Sequence, residues 1–528
     1  SYRGPWHEGG TSIDMDASER ATNGGPDLGD SPLVVGTAGF SMTQGNGNVA
    51  TGNPALGANG VLVDATTLSV TLTNLNLFAG VGGGLSQTPG PGFDFDTVTV
   101  DTAGAVGFNI VGGSVKMAIV RPGGIGAQDK TSYLGLEIGL AGATLVGIEG
   151  LKFAAAGTVS VNKATAANGD PAAQKIDWAS VTSSLLPDFG AGLTSGVDMR
   201  IEGSASLDIF GFVVGTANFT MAQGTSNVAT GNTSLPGAAN GTLNSAAVMG
   251  LTLSNLNLFV GVGGALNNNN TATPTDDVID LGTAIGFSVS GGSITMGIVR
   301  PGGLTAGDQT SYLGLALSLS NASLQGIDGL IFEATGTVLL NRATAANGTV
   351  GTQRIDWASA SDPDGILPTL PVALTKDVDT VIGGSVKLNV FDFVIGTASF
   401  QMTRATVDVD ASGNGVFSSA EKDLDDATML TIELTNLNLF TGVGNPDVDN
   451  DGDFDSADKA VIDANPSITN AMGFALTGGR LGIAIVKANP TKIAGDNRSY
   501  LAMTSNVGSA SLLGLPEGLT ISATDIAR

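Results

Sequence analysis

The chain repeats itself, and this self-similarity restricts the fold more than any other property of its 528 residues. LVVGTAGFSM (33–42) returns as FVVGTANFTM (212–221) and as FVIGTASFQM (393–402). LTNLNLF (72–78) returns in the same order as LSNLNLF (253–259) and LTNLNLF (434–440). A period of about 180 residues indicates a tandem array, in which equivalent segments fold alike and each unit contacts mainly its neighbours.

The repeats divide the chain into an extension and three units. We assign residues 1–32 to an N-terminal extension, 33–203 to the first repeat, 204–384 to the second and 385–528 to a truncated third. In the first two repeats NKATAANG or NRATAANG precedes IDWAS, and the third stops at Arg528 before this point. We therefore expect that the chain is a piece of a longer array, or that its two incomplete ends complete each other between subunits, because an open sheet edge invites strand addition.

The segments have the alternation of β-strands. In LSVTLTNLNLF the residues Leu68, Val70 and Leu72 share one parity, whereas Leu75 and Leu77 share the other. A one-residue slip needs a bulge or a corner, and asparagine at the slip tolerates the left-handed backbone found there. Glycine pairs at 112–113, 291–292 and 478–479 lie between alternating runs, which predicts tight hairpins.

The fold expected is all-β, built from short strands with frequent corners. The tail of each repeat breaks every five to eight residues, as in 317–341. This pattern suits an elongated rod, either a β-solenoid or a tightly wound, stacked β-sheet meander, and a chain of separate β-sandwiches is the alternative. Helix is expected only in two short stretches of the third repeat, 418–427 and 456–464.

Composition excludes several classes of function. The chain has no cysteine, and its one histidine is His7, so thiolate sites, disulfides and histidine-based catalysis are excluded. There are 48 acidic and 22 basic residues, a net charge of -26, which argues against nucleic acid and anionic membranes as partners. No run approaches the ~18 apolar residues of a membrane helix. SYRGPWHEGG (1–10) lacks a signal peptide and an initiating Met, so we interpret it as a processed or truncated start.

NPDVDNDGDFDSADKAV (445–461) concentrates negative charge at the spacing of a calcium loop. Counted from Asp447, Gly452 occupies position 6 and Phe454 position 8, where EF-hand loops have their turn glycine and an apolar anchor. Positions 1, 3, 5, 7, 9 and 12 are Asp447, Asp449, Asp451, Asp453, Asp455 and Asp458. Six carboxylates this close repel each other unless a hard divalent cation neutralises them, and this predicts a Ca²⁺ site.

DASGNGVFSSAE (410–421) has the same spacing. Gly415 is at position 6 and Phe417 at position 8. The ligand positions are filled by Asp410, Ser412, Asn414, Val416 through its carbonyl, Ser418 and Glu421. A solvated acidic turn is the plain alternative for both loops. The equivalent segments of the first two repeats have lost these ligands, and the pairs Asp94 and Asp96 or Asp276 and Asp277 are more often solvated turns.

The two loops resemble the calcium loops of dockerin-type modules and of calcium-stiffened bacterial surface proteins, over only about 25 residues. Asp458 at position 12 is dockerin-like, and Glu421 is EF-hand-like. Each loop follows a predicted strand instead of an entering helix. This departure makes a sensor switch, which works by opening a helix pair, a poor interpretation and favours a rigidifying calcium ion.

The residues do not favour an enzyme. Carboxylates in metal-spaced loops should have lowered pKa values, unlike the general acid of a glycosidase. Arg121 and Arg300 recur once per repeat, so we interpret them as turn or inter-coil partners of an acid. Trp178 and Trp357 recur too, and we expect them to be packing anchors instead of sugar platforms.

The whole pattern resembles the repeat regions of giant bacterial extracellular proteins. This resemblance implies a calcium-stabilised structural protein of the cell surface: an adhesin stalk, a surface-layer component or a filament subunit that joins head to tail, with surface glycans as further candidate partners. Two alternatives remain at this point. One is a β-solenoid that binds or cleaves polysaccharide, and the other is a calcium-dependent protein-docking module.

Overall fold

A computed structural model describes residues 33–87, 97–271, 273–418, 423–450, 452–490, 492, 495–515 and 521–527. Within these residues the protein is almost entirely β. Seventeen strands form one sheet in which each strand pairs antiparallel with the sheet strand that follows it in the chain. The expected all-β fold is confirmed, and the connectivity is that of a long meander.

The strands are long. Their bounds are β1 Leu33–Ala50, β2 Val61–Val81, β3 Gly84–Gln87, β4 Val98–Asp101, β5 Val106–Arg121, β6 Ser132–Val146, β7 Leu151–Thr165, β8 Val197–Ile209, β9 Val213–Ala229, β10 Thr242–Val262, β11 Ala265–Asn267, β12 Val278–Asp280, β13 Ile285–Arg300, β14 Ser311–Gln325, β15 Leu330–Thr344, β16 Val378–Val390, β17 Val394–Val409, β18 Leu424–Val443, β19 Met472–Lys487, β20 Ser499–Leu513 and β21 Ile521–Ala527. The expectation of short strands was therefore wrong. The tail segment 317–341 consists of parts of β14 and β15, which continue through the residues where corners were expected.

A line of bulges crosses the sheet where the sequence predicted a slip. The registers of β1 with β2 and of β2 with β5 both shift beside Asn74. Asn74, Asn255 and Asn436 have φ values of 50°, 49° and 50°, in the left-handed region that asparagine tolerates. The predicted bulge is confirmed in all three repeats.

The glycine pairs are not hairpins, which corrects the prediction. Gly112 lies inside β5, and its N–H donates to Oδ1 of Asn76 at 3.2 Å. Gly291 and Gly478 make the same bond to Asn257 and Asn438 at 3.1 and 3.0 Å. Glycine here has positive φ, so the pairs carry the bulge line into the neighbouring strand instead of reversing the chain.

The two ends of the strands are covered by different elements on one face of the sheet. Segments 166–196 and 345–377, here called the cover segments, pack the largest core over one end. Trp178 is 1% exposed, packs on Gly135 and donates from Nε1 to Oδ1 of Asn162 at 2.9 Å. Trp357 repeats this arrangement with Asn341 at 3.0 Å, so both tryptophans are packing anchors, as expected.

At the other end of the strands, an insertion in each repeat covers a buried phenylalanine. The β3–β4 hairpin packs with Phe78, and the β11–β12 hairpin packs with Phe259. In the third repeat the acidic loop and helix α1, Ser456–Ala464, pack with Phe440. The 456–464 helix is thus confirmed, but of the expected 418–427 helix residues 424–427 belong to β18 and 419–422 lie outside the described residues.

The repeat boundaries at 203/204 and 384/385 fall inside β8 and β16. Hydrogen bonding therefore runs across both boundaries without a linker. The extension 1–32 lies outside the described residues.

Candidate metal centre

The loop 447–458 connects β18 to α1 and lies at the insertion end of the third repeat. The first-position carboxylate organises it. Asp447 accepts from the N–H of Asn450 on Oδ1 at 2.6 Å and from that of Gly452 on Oδ2 at 2.9 Å. Asn450 and Gly452 both have positive φ, so the chain turns sharply around this carboxylate.

Asp458 closes the loop from the other side. Its Oδ1 accepts from the N–H groups of Val448 and Asp449 at 2.7 and 3.3 Å, and its Oδ2 accepts from that of Asp455 at 3.0 Å. Asp458 is only 1% exposed. Burial raises the pKa of Asp458 against the lowering effect of these bonds. The lowered pKa expected for carboxylates around a bound metal stays a prediction for this residue.

The structure brings three of the six expected carboxylates together. Asp447, Asp449 and Asp458 each offer an oxygen, and these oxygens lie within 4.8 Å of one another. Asp455 instead caps α1, accepting from the N–H of Ala457 at 2.6 Å. Asp453 is not in the trio, and Asp451 lies outside the described residues.

The loop is anchored to the sheet from two directions. Phe454 is fully buried, with its ring 6.0 Å from that of Phe440. Lys387 on β16 also approaches the loop, because its Nζ would lie 3.0 Å from a Cβ added at Gly452. An ammonium group therefore lies beside the acidic loop, where it offsets part of the negative charge.

The loop 410–421 repeats the hydrogen bonding at its first position. Asp410 accepts from Ser412 Oγ at 2.9 Å and from the N–H groups of Gly413 and Gly415, each at 2.7 Å. The bond from Ser412 is the main cause of a lowered pKa at Asp410, as expected. Asn414 accepts from the N–H of Val416 at 2.8 Å. Phe417 differs from Phe454, because it is 43% exposed and so does not anchor this loop.

The closing carboxylate of this loop is one that sequence reasoning missed. Asp423 accepts from the N–H groups of residues 411, 412 and 418 at 2.9, 3.1 and 2.8 Å, as Asp458 does from the matching positions of the other loop. Asp423 is also 1% exposed. It stands two residues beyond Glu421, the expected twelfth-position ligand, which lies outside the described residues.

A second acidic trio at the base of this loop was also missed. Asp408, Asp425 and Asp426 offer oxygens within 4.8 Å of one another. Lys492 already pairs with Asp425 and Asp426 at 3.2 and 2.7 Å. An alignment of the three repeats could have found it, because Asp408 stands where the first repeat has Asn48. Asp408 accepts from the N–H of Asp426, and Asn48 accepts from the equivalent N–H of Asp64.

The donors in loop 447–458 fit calcium. Two oxygens on opposite sides of one Ca²⁺ are about 4.8 Å apart at Ca–O distances of about 2.4 Å, which is the separation limit within the Asp447, Asp449 and Asp458 trio. All the donors are hard oxygens, the ligands that Ca²⁺ prefers. A cation would also offset the cost of keeping Asp458 buried.

The acidic pairs of the first two repeats differ from the expectation where the structure describes them. Asp277 is buried and accepts from Ser206 Oγ at 2.5 Å, so it is not the solvated turn residue expected. Asp94 and Asp96 lie outside the described residues. Arg121 and Arg300 do bind turns, but through backbone carbonyls, those of residues 129 and 308, at 2.7 and 2.6 Å.

Comparisons of the chain with protein-family models, curated proteins and solved structures gave no match. No helix of the described residues has both the length and the apolar character needed to cross a membrane. A functional proposal must therefore be based on the geometry alone.

Proposed function

We propose that the protein is a calcium-stabilised structural repeat protein of the bacterial cell surface that assembles head to tail, as a filament, surface layer or adhesin stalk. The observation that carries this proposal is the position of the Asp447, Asp449 and Asp458 trio. Its loop closes over Phe440 through Phe454, so an ion bound there would fasten the insertion to the sheet.

The role of the ion would be mechanical. Asp447 and Asp458 together accept hydrogen bonds from five backbone N–H groups of the loop, and a cation between these carboxylates would remove their mutual repulsion. Calcium would then stabilise a shape that the hydrogen bonds define. This differs from a switch, which needs a second arrangement of packed helices.

Assembly would use the edges of the sheet. Among the described strands, β1 pairs only with β2, apart from one isolated bridge between Ala50 at its end and Thr182, and β21 pairs only with β20. Backbone groups on the free sides can accept another strand. We propose that a second copy extends the sheet there, and this is the head-to-tail contact.

The test combines calcium titration with negative-stain electron microscopy of the full chain. We expect filaments or sheets in millimolar calcium, fraying with excess chelator, and an Asp447→Ala, Asp458→Ala variant that frays without chelator. Asp280→Asn is the matched control, because Asp280 lies exposed in the equivalent insertion of the second repeat and bonds only the N–H of Gly282 in the described structure. Discrete particles that chelation leaves unchanged, with no calcium binding by calorimetry, would refute the proposal.

A further inference from the structure

One face of the sheet is apolar along the middle of its strands, with Lys163, Arg342 and Arg404 near one end. The register places the following residues opposite each other, on β1, β2, β5, β6, β7 and β8 in turn: Met42, Val70, Met117, Leu136, Val161 and Met199. The next row on the same face, two residues along, is Phe40, Leu72, Val115, Ile138, Val159 and Ile201. We call the face that carries these rows the aliphatic face.

The aliphatic face continues through the other repeats. In the second repeat the first row becomes Met221, Leu251, Met296, Leu315 and Leu340, and it ends on β16 at the polar Thr380. In the third it becomes Met402, Ile432, Ile483 and Met503. None of these residues is charged, although the chain has a net charge of -26.

The bulge line keeps this face continuous. Without the slip at Asn74, Leu75 and Leu77 would point to the opposite face from Leu68 and Leu72. The bulge turns them back, so the aliphatic face of β2 continues past the bulge line. Asparagine bulges at Asn255 and Asn436 do the same in the other repeats.

The opposite face is the one that the protein covers. The row between the two apolar rows is polar: Ser41, Thr71, Lys116, Glu137, Ser160 and Arg200. Trp178 of the cover segment packs on Gly135, which shares this second face. On the aliphatic face, by contrast, the atoms nearest to a Cβ added at Gly157 or Gly203 belong to the backbone of the adjacent strand and not to a cover segment.

The exposure of the side chains agrees. Leu68, Val70 and Leu72 are half-buried, as expected for residues shielded only by their neighbours in the sheet. Toward the β20 edge, Leu501 and Met503 are 72% and 65% exposed. A soluble chain rarely leaves a contiguous apolar surface of more than a few hundred Å² to water.

The area of the face indicates its occupant. Seventeen strands about 4.8 Å apart and about 35 Å of apolar strand length give a surface of about 2,900 Å². If only half of it paired with the same half of a second copy, about 2,900 Å² in total would be buried, which is within the range of obligate homodimers. Two sheets pack face to face about 10 Å apart, with aliphatic side chains interdigitating.

We propose that the aliphatic face pairs with the aliphatic face of a second copy of this chain. The contact is isologous, so it closes as a dimer and differs from head-to-tail extension at β1 and β21. It needs no calcium, and it stands whether or not the proposed function is correct. A double-layered sheet, with the cover segments and insertions on its outer surfaces, is the expected unit.

Neighbouring residues on β13 provide a matched pair of variants. Met296 lies on the aliphatic face and Thr295 on the covered face. The first repeat has Lys116 at the position of Thr295, so Thr295→Lys places on the covered face a side chain that the first repeat has there, although its partner Glu137 is Ala316 in the second repeat. Met296→Lys places the same charge in the proposed interface, where it has no partner.

The experiment is sedimentation velocity of the full chain from 1 to 100 µM, in excess chelator to suppress calcium-dependent assembly. We expect a dimer for the unchanged chain and for Thr295→Lys, and an increase of at least about a hundredfold in the dissociation constant for Met296→Lys. Near-UV circular dichroism of Trp178 and Trp357 verifies folding, and Leu315→Lys replaces Met296→Lys if that variant misfolds.

A monomeric unchanged chain at 100 µM would overturn the proposal, and so would a dimer that both lysine variants on the aliphatic face leave intact. If the chain is monomeric and floats with phosphatidylcholine vesicles, the occupant is a lipid surface and the second copy is excluded. Filament formation and dimerisation are measured separately. An Asp447→Ala, Asp458→Ala variant that loses calcium-dependent filaments but keeps the dimer would show that this inference does not depend on the proposed function.

Discussion

Replacing Asp449 with asparagine should change the stability of the acidic loop in opposite directions with and without calcium. Asp449 is the exposed member of the trio, and its charge raises the pKa of the buried Asp458. Asparagine has nearly the same shape and keeps one oxygen as a possible ligand, but it carries no charge. The substitution therefore separates the repulsion in the loop from its hydrogen bonding.

The magnitude follows from the separation of the oxygens. Two unit charges 4.8 Å apart repel by about 0.9 kcal/mol in water and by about 3.5 kcal/mol at an effective dielectric constant of 20. Because Asp449 is exposed, the lower value applies to each of its two neighbours, Asp447 and Asp458. In chelator, Asp449→Asn should therefore stabilise the loop by about 1–2 kcal/mol. In saturating calcium it should destabilise the loop by about 1.4 kcal/mol for each tenfold loss of affinity.

Native-state hydrogen exchange measures this effect locally, which is necessary because a chain of this size is not expected to unfold in a single step. The reporting amides are those of Val448, Asp455 and Lys459, which donate within the loop or the first turn of α1. Asp280→Asn in the second repeat should leave their exchange unchanged in both conditions. An equal loss of protection with and without calcium would refute the electrostatic reasoning, since it would show that Asp449 acts only through contacts that asparagine cannot replace.

Three further predictions concern the insertions and the bulge line. Phe454→Ala should cost about 3–5 kcal/mol of local stability, measured by amide exchange in α1, whereas the exposed Phe417→Ala should cost less than about 0.5 kcal/mol. Burial raises the pKa of Asp277, so its folded form takes up a proton, and protection of the Leu266 amide, which donates to Asp208 in the same insertion contact, should increase as the pH falls from neutral toward the ordinary carboxyl range. Asp277→Asn should flatten this profile, and the difference between the two chains reports Asp277 because Asp208 is present in both. Asn255→Val should cost about 1–2 kcal/mol by denaturant-dependent exchange across β10, and Asn255→Gly should be close to neutral, because only the former opposes a φ of 49°.

Each of these three predictions has a result that would contradict it. Equal effects of Phe454→Ala and Phe417→Ala would show that the loop is not anchored through its aromatic ring. Protection that increases with pH at Leu266 would mean that Asp277 is stabilised as an anion. A tolerated valine at position 255 would contradict the assignment of the bulge.

The sequence was most informative where one physical rule determined the outcome. The parity slip between Leu72 and Leu75 demanded a bulge, and the asparagine beside it identified the residue with positive φ. The short helix predicted for 456–464 formed as predicted. These signals are local, so no knowledge of distant contacts was needed.

The errors arose where a local signal has two structural meanings. A glycine pair such as 112–113 suits a hairpin or a bulge, and only the partner strand, with Asn76, decides between them. The same holds for the length of the strands, because β15 continues through small residues that a local pattern marks as corners. In the acidic loops, spacing identified Asp447 and Asp410, but the closing carboxylate Asp423 falls outside the expected twelve-residue frame.

The order of the strands has a mechanical consequence. In a meander, tension applied at the two chain ends acts across the strands, so it opens hydrogen bonds in succession at one edge instead of shearing a whole ladder at once. Each strand of 15–21 residues that detaches would add about 50–70 Å of slack. Under load, such a sheet would yield gradually at low force and lengthen severalfold, as an extensible tether does, and an ion bound by its acidic loops would remain outside the path of the force until the strands beside it detach.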